Sequence, residues 1–299
     1  MPHIPYDLQP QAGAKRVMIP ASAEAPDDTR RIALSATLVG YCHGGMVHQP
    51  FMASLIATIW EDASNNNLIR GQIPVGGSLI VVNRNVIVRK FLESPEPAEW
   101  LWMVDTDMVF GVDTLPRLIA VADAKERPIV SALCFAPIGG QIRPLWTARG
   151  PGGHLVPMDA VPAEESINDT IELGACAMAC AIIHRRVLER MAEAHAADPW
   201  PWFGHDLSED ADGRSVRLGE DQTFCVRARA LGFAVHGHRG VEAGHVKTHI
   251  VGSEAFYLDR AIREMGVVGA VLTSEECARL AGDDVPAQDA PAPADGVVR

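Results

Sequence analysis

The stretch Trp100–Phe110, WLWMVDTDMVF, decides how the rest of the chain is read. Five consecutive apolar residues, Trp100 to Val104, have the length and composition of a strand buried on both faces. Asp105 cuts that strand off, and Asp107 follows two residues later. Residues two apart on an extended chain point the same way, so the spacing predicts two carboxylates converging on one hard divalent cation or one polar ligand. Mg2+ and Mn2+ prefer oxygen ligands, keep several waters and are commonly shared with a diphosphate. The competing reading is a solvated turn in which Asp107 or Asp113 caps the next helix.

Working outward, Arg31 to Gly40 (RIALSATLVG) is a short, apolar, β-branched run that enters a glycine-bearing turn, YCHGG, before helical spacing over Pro50 to Trp60. Leu79 to Val82 is a second apolar run, followed by a helix over Asn83 to Leu92, NRNVIVRKFL. Beyond Phe110 a helix opens at Asp113, a favoured N-cap, and covers TLPRLIAVADAKE; Ile129 to Phe135 then repeats the strand pattern. Strands separated by helices predict an α/β class protein, a single Rossmann-like domain with a central mostly parallel sheet flanked by helices. Ligands are then expected at the carboxyl ends of the strands.

Further along, Gly219-Glu220-Asp221-Gln222 precedes a helix in which Phe224, Cys225, Ala228 and Leu231 share one face and Gly232 supplies the stop. Two carboxylates on a first turn can simply complement the helix dipole, or one can bind or deprotonate a substrate hydroxyl. His236, His238, His245 and His249 follow within fourteen residues, and an imidazole can complete a carboxylate metal site. Cys176, Cys180 and His184 have metal-like spacing if helical, but ELGACAMACAII reads better as a buried strand. Trp200, Trp202 and Phe203, in DPWPWFGHD, form an aromatic cluster that could stack on a sugar, close a lid, or anchor a loop.

Composition bounds the rest. The 299 residues carry 26 Lys plus Arg against 38 Asp plus Glu, a formal charge of -12, which argues against nonspecific nucleic-acid binding. Six cysteines scattered through a chain of this length suit a reducing, cytoplasmic compartment rather than a disulfide framework. The longest apolar stretch, Leu173 to Ile183, is too short for a bilayer span, so no membrane partner is expected. Pro- and acid-rich residues 1–29 and the Ala/Pro/Asp-rich tail 281–299 read as extended or low-complexity segments, with a helical extension over 253–280. That leaves 30–252 as the folded domain.

The ordered set IALSATLVG, Arg84-Asn85, WLWMVDTDMVF, IELGACAMACAIIHRRVLERM, GEDQTFCVRARALGF and AGHVKTHIVG resembles a GT-A fold glycosyltransferase of the family 2-like type, in particular the compact phage-encoded versions. The segment from Ile138 to Ile167 has no equivalent in that pattern. What the resemblance implies is a metal-dependent hexosyltransferase using a nucleoside-diphosphate sugar, UDP-sugar first, with Mn2+ or Mg2+. Asp105, Asp107 and His245 would be the metal residues. Asp221 would be the catalytic base if the reaction inverts configuration, with Glu220 beside it. Thr37, Arg84, Asn85, Asp105 and Thr106 would hold the nucleotide. A phage-type resemblance points to a protein acceptor, such as a virion protein, or a modified nucleobase, and to the host cytoplasm. The alternatives are a catalytically inactive nucleotide-sugar-binding or structural accessory module, and a metal-dependent hydrolase, although neighbouring carboxylates suit a cation better than a scissile bond.

Overall fold

Alternation of buried side chains along each strand builds a sheet with two apolar faces, and helices cover both. The computed structural model describes residues 35–247, apart from 97, 139–140, 159–160, 162–169 and 211. The expected segments 1–29, 253–280 and 281–299, and His249, lie outside the described residues. In chain order the elements are β1 (Thr37–His43), α1 (Gln49–Asn65), β2 (Ile69–Gly76), α2 (Ile80–Leu92), β3 (Trp100–Val104), β4 (Met108–Val109) and α3 (Thr114–Val121). There follow β5 (Ile129–Ile138), β6 (Gln141–Pro144), β7 (Trp146–Arg149), β8 (Leu155–Pro157), β9 (Thr170–Leu173), β10 (Ala175–Cys176) and β11 (Cys180–His184). The last are α4 (Arg185–Ala194), β12 (Leu207–Glu209), β13 (Ser215–Arg217), α5 (Glu220–Ala230) and β14 (Val235–His245).

The main sheet has the order β2-β1-β3-β11-β5-β14-β4, with β6 on β5 and β9 on β14. β1 runs parallel to β2 and β3, and β14 parallel to β5, while β11 is antiparallel to both β3 and β5. Five long strands therefore share one direction and β11 is reversed: a mixed, mostly parallel sheet. In β3, Leu101 and Met103 join one core cluster and Trp100, Trp102 and Val104 the other, as period-two alternation requires. The first face is covered by α2 through Ile87, Val88 and Phe91, by α4 through Leu188 and Met191, and by α5 through Phe224 and Ala228. The second is covered by α1 through Phe51 and Leu55, and by α3 through Leu115 and Leu118. None of the helices among the described residues is long and apolar enough to cross a membrane.

Some local expectations are corrected. The second strand is Ile69–Gly76, not Leu79–Val82: Leu79 is the N-cap of α2 and Ile80 to Val82 form its first turn. Asp62, buried in α1, accepts from the amides of Leu68 and Ile69 at 2.9 and 2.8 Å and so launches β2. α3 ends at Val121 rather than running to Glu126, because Asp123 and Arg127 exchange backbone hydrogen bonds at 3.2 and 3.1 Å. Asp113 precedes α3 but makes no side-chain cap bond. The stretch without a family equivalent supplies β6, β7 and β8, and the small antiparallel sheet β10-β7-β8 packs Trp146 into the core.

Two features set positions for the site. Gly40 lets α2 press on β1, since a Cβ there would lie 2.5 Å from Ile87 Cγ2 and 3.1 Å from Leu101 Cδ1. β14 carries a bulge: His238 pairs with Ala132 but Glu242 pairs with Leu133, leaving three residues without partners on β5. An odd insertion reverses which face the following side chains take. Val235 accordingly belongs to the first cluster while Val241 and Ala243 belong to the second, and His245 emerges two residues beyond Ala243.

Candidate active site

The carboxyl ends of β1, β3, β5 and β14 open at one edge of the sheet, where an α/β fold exposes backbone and loops to a ligand. β3 ends when the amide of Asp105 donates to Ala179 O at 2.9 Å, and Met108 N then donates back to Asp105 O at 3.1 Å. Asp105 to Met108 is thus a turn, not extended chain. The expectation of two carboxylates aimed alike by strand alternation fails for that reason. Asp105 faces Arg84, and Asp107 faces His245. Thr106, at the tip, donates from Oγ1 to Cys42 O at 3.1 Å, and its own carbonyl accepts from His48 N at 3.2 Å, tying the turn to the end of β1. Burial pushes the Cys42 thiol up to about 12, with Arg84 opposing and Asp105 adding to the shift, so the thiol there is neutral.

Arg84 is the hub. Its Nη2 lies 3.0 Å from both carboxylate oxygens of Asp105, and its Nη1 donates to Glu220 Oε1 at 3.1 Å and to Asp221 Oδ1. Only 2% of its side chain is exposed, while Asp105, Glu220 and Asp221 keep 29, 22 and 21%. Burial pulls the guanidinium's pKa down, but the charges of Asp105 and Glu220 outweigh it and the net shift is upward. Three carboxylates around one buried cation leave a negatively charged mouth. The acid pair comes from the first turn of α5, which Gln222 closes by accepting from Gly219 N at 3.1 Å.

Asp107 and His245 form the second centre. His245 Nδ1 lies 3.0 Å from Phe135 O and Nε2 lies 2.9 Å from Asp107 Oδ2. A carbonyl oxygen only accepts, so Nδ1 carries a hydrogen and the ring points its Nε2 at the carboxylate oxygen. A nitrogen and an oxygen at that separation are complete only with a proton or a cation between them. One imidazole nitrogen, oriented by a carbonyl behind it, and one carboxylate oxygen make a mixed N,O donor pair that suits Mn2+ better than the all-oxygen preference of Mg2+. No group of three or more His, Cys, Asp or Glu among the described residues could hold a metal, so a cation here would need ligands from its substrate and water.

The other expected residues fall as follows. Asn85 is adjacent to the site but all of its polar groups are engaged: Nδ2 donates to Val81 O and Phe203 O at 2.7 and 2.9 Å, and Oδ1 accepts from the amides of Trp202 and Phe203. Thr37 is at the amino end of β1, paired in register with Trp100 at the start of β3, with Oγ1 on Ser35 O. It lies at the opposite edge of the sheet from Asp105. Trp202 and Phe203 are buried anchors, the indole donating to Leu188 O at 2.8 Å and the Phe203 ring stacking on Phe224 at 4.8 Å. Cys176 and Cys180 sit on separate strands, and His184 caps α4 by accepting from Arg186 N, so they form no cluster. His236 precedes the β14 bulge, half-buried, with its pKa lowered by burial.

The resemblance placed Arg84 at the site, but its position as the hub between three carboxylates was not read from the sequence. The signal was available: Arg84, Ile87, Val88 and Phe91 share the i, i+3, i+4, i+7 spacing of a buried helical stripe, and a guanidinium on such a stripe requires carboxylates from elsewhere.

No family model and no curated protein matches the chain. Among solved structures it is similar to A197 from STIV, with 16% identity over 71% of this chain and 86% of that one and a TM-score of 0.43. It is also similar to GalNAc-T7 with UDP, GalNAc and Mn2+, with 12% identity, a TM-score of 0.46, and coverage of 71% of this chain but 44% of that one.

Proposed function

We propose that the chain is a metal-dependent glycosyltransferase that moves a sugar from a nucleoside-diphosphate sugar, UDP-sugar first, to a hydroxyl on a protein or a modified nucleobase. The observation that carries this reading is the meeting, at the carboxyl edge of the sheet, of three separate elements. These are the turn after β3, His245 at the end of β14, and the acid pair that opens α5. Asp107 and His245 would hold Mn2+ or Mg2+ against the diphosphate, where the ion's chemistry is Lewis-acid stabilisation of the departing nucleoside diphosphate. Asp221 would accept the proton of the attacking hydroxyl, with Glu220 beside it and Arg84 holding both carboxylates in place. Asp105, held by Arg84, and Thr106, held by Cys42 O, would shape the nucleotide side of the cleft. The negative mouth disfavours a polyanionic acceptor.

The test is a thermal-shift series with UDP, with Mn2+ and with both, followed by turnover of UDP-sugars. Stabilisation by UDP that requires Mn2+ and is lost in Asp107→Ala supports the reading; stabilisation by UDP that ignores the metal removes it. One observation favours a second reading, a binding module without transfer: Arg84 already engages an oxygen of both Glu220 and Asp221. Metal-dependent UDP binding with no turnover of any UDP-sugar would select that module.

A further inference from the structure

We infer that Asn85 is a positioning residue: through the Pro201–Phe203 loop it sets where the acid pair of α5 stands relative to Arg84. The inference rests on the reading that Asp221 is the base. Asn85 has two donors and one acceptor oxygen, and each is bound inside the protein, so it has nothing left to offer a ligand. Three of its four bonds grip Trp202 and Phe203, more than a hundred residues away in sequence. The ring of Phe203 faces two ways. It lies 5.7 Å from Arg84 Cζ and stacks, at 4.8 Å and 17° between planes, on Phe224, which is one helical turn beyond Glu220 and Asp221.

The loop is fastened to α5 a second time. Arg227 donates to Asp206 at 2.7 and 2.8 Å and to Trp200 O at 2.7 Å, and pairs with Asp198 at 3.0 Å. Asn85 therefore fixes to α2 a loop that is also tied to α5, through Arg227 and the Phe203–Phe224 stack, and to α4, through the Trp202 indole. Arg84 and Asn85 are adjacent on α2: one touches the carboxylates directly, and the other holds the helix that carries them. Without Asn85, α2 holds the acid pair through Arg84 alone, with no tie to the loop behind it, and an error of about 1 Å in the placement of a reacting group is enough to lower a rate about a hundredfold.

The experiment compares Asn85→Ser and Phe203→Leu, singly and together, with wild type and Asp221→Asn. The probes are Mn2+ with UDP for binding, and a panel of UDP-glucose, UDP-galactose, UDP-GlcNAc and UDP-GalNAc for turnover. Each single change is expected to lower kcat about tenfold to a hundredfold, leave KM for the sugar nucleotide and Kd for Mn2+ with UDP within about twofold, and speed hydrogen exchange at the amides of 221–224. The double variant should lose no more than the worse single one, because both changes cut the same path. A lowered melting temperature with kcat and exchange at 221–224 unchanged overturns the inference, as does an additive double variant or a rise in KM alone. Turnover by Asp221→Asn at the wild-type rate, or none by wild type, removes the reading of the base instead. The exchange measurement still decides whether Asn85 holds α5 in place.

Discussion

His245 Nε2 lies 2.9 Å from Asp107 Oδ2, a contact between residues 138 apart that joins the end of β14 to the turn after β3. Val246 N also donates to Asp107 O at 2.8 Å, so backbone and side chain hold the same junction. On the proposed reading this pair holds the cation, with Phe135 O fixing the ring behind it.

Replacing either member should uncouple metal from nucleotide. His245→Ala and Asp107→Asn are each expected to abolish the extra melting temperature that Mn2+ gives in the presence of UDP, while leaving the melting temperature without ligand within a few degrees. Differential scanning fluorimetry with and without EDTA reads this directly. Full retention of the metal increment in both variants would place the cation elsewhere.

Arg84 gives a stability prediction of opposite character. Arg84→Met removes the buried guanidinium from between three carboxylates and should destabilise the fold by about 2–4 kcal/mol, somewhat less than for a wholly buried pair because the carboxylates are partly hydrated. Arg84→Lys keeps the charge but not the fork that reaches Asp105 on one side and the acid pair on the other, so it should recover only part of the loss. Urea denaturation at neutral pH measures both. A methionine variant as stable as wild type would mean that the three acids do not depend on this cation.

The legible part of the fold is the part with unmixed signals. β3 could be read because all five of its residues are apolar and buried, and α5 because its apolar face, acidic first turn and terminal glycine agree. β2 could not: IRGQIPVG mixes Gly, Pro and polar residues because it is an edge strand with one side open, and the stronger apolar run at Leu79 is the start of a helix. The same division holds at the site. Asp105, Asp107, Glu220, Asp221 and His245 could be singled out as candidates, and the structure gathers them at one end of the sheet. Their pairing could not be read, because it depends on a turn at Asp105–Met108 and on an odd bulge in β14 whose length is defined only against β5. Thr37 illustrates the limit: being on the first strand does not say at which end.

Gly40 carries a packing prediction. A methyl at this position meets Ile87 Cγ2 at 2.5 Å and Leu101 Cδ1 at 3.1 Å, between β1 and the helix that bears Arg84 and Asn85. Gly40→Ala should cost about 1–3 kcal/mol by overpacking. Gly44→Ala, where a Cβ meets nothing within 4 Å, should stay within about 0.5 kcal/mol of wild type. Chemical denaturation of the two variants side by side checks this. Equal stabilities would show that α2 retreats freely from the sheet.

Asp206 carries the pH dependence. Hydrogen bonds from Arg227 draw its carboxyl below the ordinary value, burial opposes them, and the Arg227 charge adds to the downward shift. A carboxyl depressed in the folded state stabilises the protein fully above its unfolded value of about 3.9, and that contribution disappears as pH falls through the lower folded value. Asp206→Asn keeps the shape but cannot ionise, so it should be less stable than wild type at pH 7 and 5, with the gap narrowing below about pH 4 as the wild-type carboxyl takes up its proton. Urea midpoints at pH 7, 5 and 3 measure the gap. A difference that stays constant from pH 7 to pH 3 would mean that the Arg227 contact holds the loop through shape and not through charge.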